Sequence, residues 1–406
     1  MHLGLDSAIP IPGFRFAGLS AGIKSNGRPD LALAVADEPA VVAGTLTTNL
    51  VRAAPVVLTA ERLVRGRARA VLVNSGCANA CTGEPGLAAA RATTQAIADA
   101  IGARDDEVLP ASTGVIGALL PQDKIIARTQ DLVSSLAEDG AERFAEAIMT
   151  TDRSRKLVHV RSSIGGRPFS LLGIAKGAGM IHPSMAPATP HATMLAFLFT
   201  DTNAHPRALS RALGRAADET FNCASVDGDT STNDTLLAFA SGRAGTDAGT
   251  ADEVPTALFD AMVAACEQLA RMMVADGEGS QHLVELHVRG VATDEAARRV
   301  ARTIATSPLV KTALFGKDPN WGRILAAAGR ADVSFDPSAA SIRIGDATIV
   351  EGGIAVGREA ERRAHEVMVH GSYRIDVVLG RGPGKGRYLM CDLGYDYVRC
   401  NADYRS

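Results

Sequence analysis

The sequence predicts a mixed α/β fold in two lobes, because strand patterns and helix patterns alternate along a chain that is long for a single core. The chain has 406 residues, of which 46% are apolar and 21% are charged, as is ordinary for a packed protein. Only 4% of the residues are aromatic, so we expect a core built mainly of Ala, Val, Leu and Ile. A chain of this length usually divides into more than one compact unit.

Local patterns place several elements of this fold. Short apolar runs bounded by turn residues predict buried strands at residues 70–73, 170–174 and 194–199. Apolar residues at helical spacing predict helices over residues 86–101 and 254–274. These helices are long enough to cover the sheets from outside, as we expect them to do. No linker of disordered composition divides the chain.

A glycine-rich segment near the C-terminus predicts a hairpin. Strand patterns at residues 373–379 and 387–392 flank residues 380–386, which read G-R-G-P-G-K-G. The alternative is a phosphate-binding loop, but such a loop needs Ser or Thr after its lysine and then a helix. Neither follows here, so we interpret the segment as a turn between paired strands.

Composition argues against a nucleic-acid, membrane or metal partner. The formal net charge of −3 gives no attraction to nucleic acid or to an anionic membrane, so a small polar metabolite is the expected ligand. The six cysteines include no C-x-x-C pair, which favours free thiols in a reducing compartment. The N-terminus has no secretory pattern, and the longest apolar run, residues 194–199, is far too short to span a bilayer. We therefore expect a cytoplasmic protein.

The most unusual stretch lies in the middle of the chain. Residues 182–192 are rich in proline and small residues, so no regular element is expected there. Thr193 follows at the head of an apolar run, which suits an N-terminal nucleophile made by self-cleavage. Its hydroxyl could attack the Ala192 carbonyl, and the freed α-amine, with an ordinary pKa of about 7.7–8.0, could then accept the hydroxyl proton. The alternative is a threonine that merely favours the start of a strand.

Other polar segments fit acyl transfer. Residues 111–117 predict a turn after a strand, where the Thr113 hydroxyl and the Gly114 backbone N–H could form an oxyanion hole. Residues 74–83 predict a polar turn between a strand and a helix. Residues 226–235 resemble a cation-binding loop but lack the closing Glu of an EF-hand, so we interpret them as a hydrogen-bonded loop.

Ordered matches along nearly the whole chain resemble the ornithine acetyltransferase family, also called bifunctional glutamate N-acetyltransferases. The matching segments are N-S-G-C-A-N-A-C-T-G at 74–83, S-T-G-V-I-G at 112–117, M-T-T-D at 149–152, K-G-A-G-M-I at 176–181, A-T-M-L-A-F at 192–197, D-T-S-T-N-D-T at 229–235, D-G-E-G at 276–279, S-P-L-V-K-T-A at 307–313 and D-P-N-W-G-R at 318–323. A resemblance carried by so many separate segments is highly specific.

This resemblance implies a layered αββα sandwich in a self-processing enzyme. Cleavage between Ala192 and Thr193 would give an α chain of residues 1–192 and a β chain of residues 193–406, which would pair into an α2β2 heterotetramer. The reaction would move an acetyl group from N-acetylornithine to Thr193 and then to glutamate, in arginine biosynthesis. No cofactor is implied, and acetyl-CoA as a second acetyl donor stays open.

The resemblance also implies the site residues. Thr193 would be the nucleophile, and Thr113 and Gly114 would stabilise the oxyanion. Six residues would bind substrate: Thr151, Lys176, Thr193, Glu278, Asn401 and Ser406. Lys176 can pair with a substrate carboxylate, and Glu278 or the carboxylate of Ser406 can pair with an ammonium group.

The sequence departs from the family pattern in two places. More residues separate Lys176 from Thr193 than in the family, and the extra residues, at about 187–192, could slow the cut or shift it to Thr189. Cys77 stands where the family commonly has Asn.

Two other functions stay open. One is an amidase or aminopeptidase that uses the same threonine, and the other is an uncleaved, inactive relative with a binding role. Whether the acceptor is glutamate or a related amino acid also stays open.

Overall fold

The computed structural model describes residues 1–183, 185–187 and 194–403, and their contacts divide the chain into two compact units. Among the described residues, the first unit comprises residues 1–222 and 229–273, and the second comprises residues 223–228 and 274–403. The division predicted between residues 192 and 193 refers to a proposed cut of the backbone, and it does not coincide with the boundary between these two units. Both predicted chains therefore contribute to the first unit.

The strands are divided between the two units. Those of the first unit are β1 (His2–Leu5), β2 (Phe14–Leu19), β3 (Leu31–Thr47), β4 (Arg67–Cys77), β5 (Val108–Val115), β6 (Lys156–Ile164), β7 (Arg167–Lys176), β8 (Met185–Pro187), β9 (Leu195–Thr200) and β11 (Thr235–Ala240). Those of the second unit are β10 (Ala224–Ser225), β12 (Leu283–Gly290), β13 (Ser341–Ile344), β14 (Ala347–Glu351), β15 (Ile354–Ala355), β16 (Ser372–Val378) and β17 (Gly382–Cys391). The three strands predicted from apolar runs are confirmed as β4, β7 and β9.

The helices follow the predicted pattern. They are α1 (Ala54–Leu63), α2 (Gly83–Ile101), α3 (Gln122–Ala127), α4 (Thr129–Ser134), α5 (Ala141–Ala147), α6 (Pro206–Glu219), α7 (Thr256–Ala275), α8 (Asp294–Ala305), α9 (Pro308–Phe315), α10 (Trp321–Gly329), α11 (Arg358–Met368) and α12 (Tyr395–Asp403). The two helices predicted from spacing are confirmed as α2 and α7. No helix in the described part of the chain combines the length and apolar character needed to cross a bilayer.

The long strand β3 organises the sheet of the first unit. The main path of this sheet runs β1-β6-β7-β9-β11-β3-β4-β5, and β2 and β8 pair with β3 off that path. The first half of β3 pairs with β2 and β4, and its second half pairs with β11 and β8. β3 therefore belongs to both halves of the sheet.

The two halves of this sheet face each other across one core. Phe14 and Phe16 of β2 contact Phe199 of β9 edge to face, with ring centroids 5.3 and 4.9 Å apart. Such aromatic pairs combine a large buried area with a favourable ring geometry. The contacts join a strand beside the first half of β3 to a strand beyond its second half, so the sheet forms two stacked layers.

Helices cover both outer faces of the two layers. Apolar residues of α2, α3 and α4 share a buried cluster with Leu31 and Leu33 of β3. On the other side α7 packs on β7, where a Cβ built at Gly173 would lie 2.9 Å from Leu269 Cδ1. The order of layers is helix, sheet, sheet, helix, which confirms the predicted αββα sandwich.

Strand β9 lies inside the sheet, between β7 and β11. It pairs antiparallel with β7 and parallel with β11, and all six of its residues are buried. In sequence, β7 and β3 precede the predicted cut, whereas β9 and β11 follow it. Two strands of the later predicted chain therefore lie between two strands of the earlier one.

The second unit corrects the prediction of a hairpin. Its sheet has the order β10-β17-β12-β16-β13-β14-β15, so β12 separates the two strands that were expected to pair. The glycines belong largely to β17, where a Cβ at Gly384 would lie 2.3 Å from the Thr293 oxygen and one at Gly386 would lie 2.6 Å from the Arg298 nitrogen. The glycine-rich segment thus allows close packing of β17 on α8 and the residue before it.

Candidate active site

Several strands begin or end at one edge of the first unit. Sheet pairing aligns Lys176, the last residue of β7, with Leu195, the first residue of β9. Leu195 is aligned in turn with Thr235, the first residue of β11, and Thr235 with Leu46 near the end of β3. The loops that enter or leave these strands lie along this edge, which is where the first unit can bring predicted site residues together.

The Lys176 side chain joins three segments at this edge. It is buried, and its Nζ donates hydrogen bonds to Thr113 Oγ1 at 3.2 Å and to Thr150 Oγ1 at 2.7 Å. The same ammonium lies 3.7 Å from Asp152 Oδ2. Two predicted site residues, Lys176 and Thr113, are therefore in direct contact. The predicted residue Thr151 is half-buried between the two loop residues that the lysine contacts.

Asp152 is the ionic centre of this region. Its side chain is fully buried, and its Oδ1 accepts hydrogen bonds from Lys156 Nζ at 2.7 Å and from the Gly177 backbone N–H at 2.6 Å. Its Oδ2 accepts from the Thr150 N–H at 3.0 Å. Burial by itself raises the pKa of Asp152, but the ammonium groups of Lys176 and Lys156 outweigh it and hold that pKa well below its usual range. The carboxylate is therefore ionised at neutral pH.

Lys24 holds the start of the loop that carries Asp152. Its Nζ donates to the Met149 carbonyl oxygen at 2.7 Å and to the Pro29 carbonyl oxygen at the same distance. Burial lowers the pKa of Lys24 to about 8, and the charge of Arg28 acts in the same direction. The pKa of this lysine therefore lies much closer to neutral pH than that of an exposed lysine.

Thr113 and Gly114 lie in strand β5, so the turn predicted at residues 111–117 begins later than expected. β5 continues to Val115 and pairs in parallel with β4, with Gly114 opposite Gly76. The φ angle of Gly114 is +128°, and a Cβ there would lie 2.4 Å from the Gly76 carbonyl carbon. Only glycine permits this approach, because any side chain would collide with the neighbouring backbone.

A buried amide network positions the backbone beside Thr113. Asn233 Nδ2 donates to the Ser112 carbonyl at 2.8 Å and to the Ala78 carbonyl at 2.6 Å. Ser112 Oγ donates to Asn74 Oδ1 at 2.6 Å. Leaving one of these buried groups unpaired would cost about 1–3 kcal/mol. Reasoning from the sequence missed the roles of these amides. It interpreted residues 74–83 as a polar turn and residues 226–235 as a hydrogen-bonded loop, without naming the groups that their side chains would bind.

Several predicted residues lie outside the described part of the chain, namely Ala192, Thr193, Ser406 and the rival cleavage residue Thr189. The described chain resumes at Met194, which is buried. Its carbonyl oxygen accepts a hydrogen bond from the Thr235 N–H at 2.8 Å. The residue that follows Thr193 in sequence is therefore fixed at the same edge as Lys176, and the roles of the four residues stay predictions.

Two further predicted residues meet within the second unit. Asn401 Nδ2, in α12, donates to Glu278 Oε2 at 2.8 Å. Gly279 has a φ angle of +70°, and a Cβ there would lie 2.4 Å from the Tyr397 nitrogen, so the D-G-E-G segment packs directly on α12. Asn401 thus orients the Glu278 carboxylate.

The first-unit arrangement suits stabilisation of negative charge on an oxygen. Thr113 Oγ1 accepts from Lys176, so the hydroxyl proton of Thr113 remains available for another acceptor. Hydroxyl and backbone N–H donors in a buried setting stabilise the oxyanion of a tetrahedral intermediate. Among the described residues, no cluster of three or more His, Cys, Asp or Glu side chains could hold a metal ion.

Known proteins resemble this chain over nearly its full length. The model of the ArgJ family matches residues 15–406. The arginine biosynthesis bifunctional protein ArgJ of Gloeobacter violaceus is 47% identical over 397 residues, covering 97% of this chain and 96% of the relative. The protein of the same name from Geobacter sulfurreducens is 45% identical, covering 98% of this chain and 100% of the relative. A solved structure of ornithine acetyltransferase complexed with ornithine, from Mycobacterium tuberculosis, is 42% identical over 46% of this chain and 100% of that chain, with a TM-score of 0.43. The extent of the family match, together with the identity to the two full-length ArgJ relatives, shows that the chain belongs to the ArgJ family.

Proposed function

We propose that this chain is a self-cleaving acetyltransferase of arginine biosynthesis, which moves an acetyl group from N-acetylornithine to glutamate through an acetyl ester on Thr193. Membership of the ArgJ family supports the pathway and the reaction class. The structural observation that carries the mechanism is the contact between Lys176 and Thr113 at the edge where Met194 begins. That contact holds the Thr113 hydroxyl against Lys176, whose strand pairs with the strand that follows Met194.

The proposed reaction has two acyl-transfer steps. Thr193 Oγ attacks the acetyl carbonyl of N-acetylornithine, while the hydroxyl proton passes to the α-amine of the same residue. The C–N bond then breaks, and this proton goes to the departing amine of ornithine. The amine of glutamate attacks the resulting ester, a C–N bond forms as the ester C–Oγ bond breaks, and the proton released from that amine returns to Thr193 Oγ. Thr113 and Gly114 are the proposed donors to the oxyanion in both steps.

Charged groups are proposed to select amino-acid substrates. Lys176, with Thr151 beside it, is the proposed partner of a substrate carboxylate in the first unit. In the second unit the Glu278 carboxylate, held by Asn401, is the proposed partner of an ammonium group. Ser406 is retained among the proposed binding residues. A substrate that lacks one of these charges would leave a polar group unpaired and would be disfavoured.

The variant Thr113→Val tests the proposed oxyanion donor. Valine keeps the shape of threonine but removes the hydroxyl, so we expect kcat to fall by about 10²–10³-fold, the usual cost of losing one such donor. Thr113→Ser is the matched control, because it keeps a hydroxyl and should retain most of the activity. Steady-state rates of acetyl transfer measure both variants, and a fully active valine variant would remove Thr113 from the mechanism.

The proposed cleavage products are expected to remain together. Strands β9 and β11 of the later fragment lie between β7 and β3 of the earlier one, so the sheet holds the fragments without a covalent link. This arrangement supports the association of one α fragment with one β fragment, and the pairing of two such cut chains into an α2β2 heterotetramer is the further part of the proposal. A cytoplasmic location is part of the same proposal. Native mass measured before and after denaturation tests the assembly.

One assay tests the proposed function against its nearest alternative. Purified protein is given glutamate with N-acetylornithine or with acetyl-CoA, and N-acetylglutamate, free acetate and coenzyme A are measured side by side. Acetyl transfer from N-acetylornithine supports the proposal, and transfer from acetyl-CoA would show a second donor. Release of acetate without N-acetylglutamate would instead indicate an amidase that uses water as its acceptor.

A further inference from the structure

Asp234 lies directly before β11, at the edge that carries the candidate active site. Its carbonyl oxygen accepts a hydrogen bond from the Thr47 N–H at 2.9 Å. The next residue, Thr235, donates its N–H to the Met194 carbonyl at 2.8 Å. The backbone of Asp234 is therefore fixed next to the segment that begins with Met194, to which Thr193 is covalently joined.

The Asp234 side chain is fully buried and unsatisfied. Neither of its carboxyl oxygens has a hydrogen-bond partner within the described part of the chain, and no other buried side chain described in the first unit has an unpaired nitrogen or oxygen. Asp30, which is equally buried, accepts three backbone N–H groups, and Asp152 has two lysines and two N–H groups. These two buried aspartates of the first unit are thus satisfied, and the exception needs a reason.

The electrostatic setting of Asp234 explains why it can remain unpaired. Burial raises the pKa of its carboxyl well above the usual range, and the Lys176 ammonium opposes this shift only in part. Burial therefore favours the protonated, uncharged form of this acid, which limits the cost of burying it. A cation brought next to it would favour its ionised form.

We propose that the Asp234 carboxyl is the counter-group for the α-amine of Thr193, a group that does not exist until the chain is cut. This inference rests on the proposed function. In the uncut chain the Thr193 nitrogen is an amide, which cannot accept the hydroxyl proton, and none of the described residues is hydrogen-bonded to the carboxyl. After the cut, the acid passes its proton to the new amine, and the ammonium so formed loses one proton to solvent before turnover. The hydroxyl proton of Thr193 then moves to the free amine as the Oγ–C bond forms, and the ammonium formed again donates to the Asp234 carboxylate. The same proton leaves with the departing amine, so Asp234 is unchanged after each turnover.

The carboxylate would also adjust the strength of this base. Burial lowers the proton affinity of an amine, and a carboxylate within about 4–6 Å raises it by about 1–3 pKa units. The two effects together keep the amine close to the operating pH, where a general base works best. Asp234 is thus proposed as a positioning and electrostatic partner of the base, with no covalent role.

The variant Asp234→Asn separates this role from a structural one. We expect the variant to fold, to melt within a few degrees of wild type and to be cut normally, because no residue in the described ranges is hydrogen-bonded to the carboxyl. We expect its kcat/KM to fall by about 10²-fold, and the acidic limb of its pH profile to move to lower pH by about one unit. Asp30→Asn is the control for a structural aspartate, and its melting temperature should fall.

A donor without an amine identifies which amine Asp234 serves. With p-nitrophenyl acetate, the burst of p-nitrophenol reports acetylation of Thr193 alone. A slower burst in Asp234→Asn supports the inference, whereas a normal burst, with loss only for N-acetylornithine, would assign the carboxyl to the substrate and overturn it. A variant that is cut and fully active, one that is no longer cut, or one that fails to fold would overturn this inference alone. An uncut but active wild-type protein would overturn the proposed function as well.

Discussion

Replacing Thr193 by alanine is expected to leave the chain in one piece and to reduce acetyl transfer by about 10⁴-fold or more, the scale seen when the nucleophile of an acyl-enzyme is removed. Alanine lacks the hydroxyl that would attack the Ala192 carbonyl, so neither the fragments nor the catalytic amine would form. Intact mass spectrometry and an acetyl-transfer assay measure the two losses on one preparation.

Thr193→Ser provides the matched control for this variant. Serine keeps the hydroxyl, so cutting and turnover should both be retained at a reduced rate. Sequencing the later fragment locates the cut, and a fragment that begins Thr-Met-Leu-Ala-Phe is expected. A fragment that begins at Thr189, or an alanine variant that is still cut and active, would contradict the assignment of the nucleophile.

The variant Asp152→Asn is expected to lower the free energy of unfolding of the first unit by about 3–5 kcal/mol, since it removes a buried negative charge that two buried ammonium groups contact. Lys156 is fully buried with Asp152, and Lys176 is nearly so. Urea unfolding followed by circular dichroism measures the loss, and hydrogen exchange in β6 and β7 assigns it to this unit. Asp252→Asn is the control, because Asp252 contacts Arg207 and Arg211 at the surface and should contribute less than about 1 kcal/mol.

The contribution of Asp152 also has a defined dependence on pH. Its pKa in the folded protein lies below the unfolded value of about 3.9, so the folded state favours the ionised form. Its stabilising effect is therefore fully present above about pH 5 and is lost as the pH falls through the lower folded pKa. The stability difference between wild type and Asp152→Asn should be constant from about pH 5 to 8 and should shrink below about pH 4. A difference that grew at low pH would contradict the ion-pair assignment.

The elements of the fold could be predicted where one physical signal dominated. Apolar runs identified β7 and β9, and helical spacing identified α2 and α7, because burial decides both patterns. The glycine-rich segment at 380–386 was misinterpreted, since glycine serves tight turns and close packing equally well. Only the partners in space, Thr293 and Arg298, show that packing on α8 is the reason for these glycines.

The candidate site could be predicted in part for a similar reason. The motifs identified Lys176 and Thr113, which prove to be in contact, but not Asp152, Asn233 or Asp234. The roles of those three depend on burial and on which groups lie opposite them, and neither is a property of a short stretch of sequence. Asp234 in particular differs from Asp30 in that no described residue is hydrogen-bonded to its carboxyl, a difference that requires the three-dimensional structure.

The interleaving of strands from before and after residue 192 would make the proposed cleavage hard to reverse by unfolding and refolding. In the uncut chain, β9 reaches its place between β7 and β3 by a reaction within one molecule. Once the chain is cut, the same step after denaturation would require two polypeptides to find each other, so recovery should depend on protein concentration. The lifetime of the mature enzyme would then be set by its rate of unfolding rather than by its equilibrium stability.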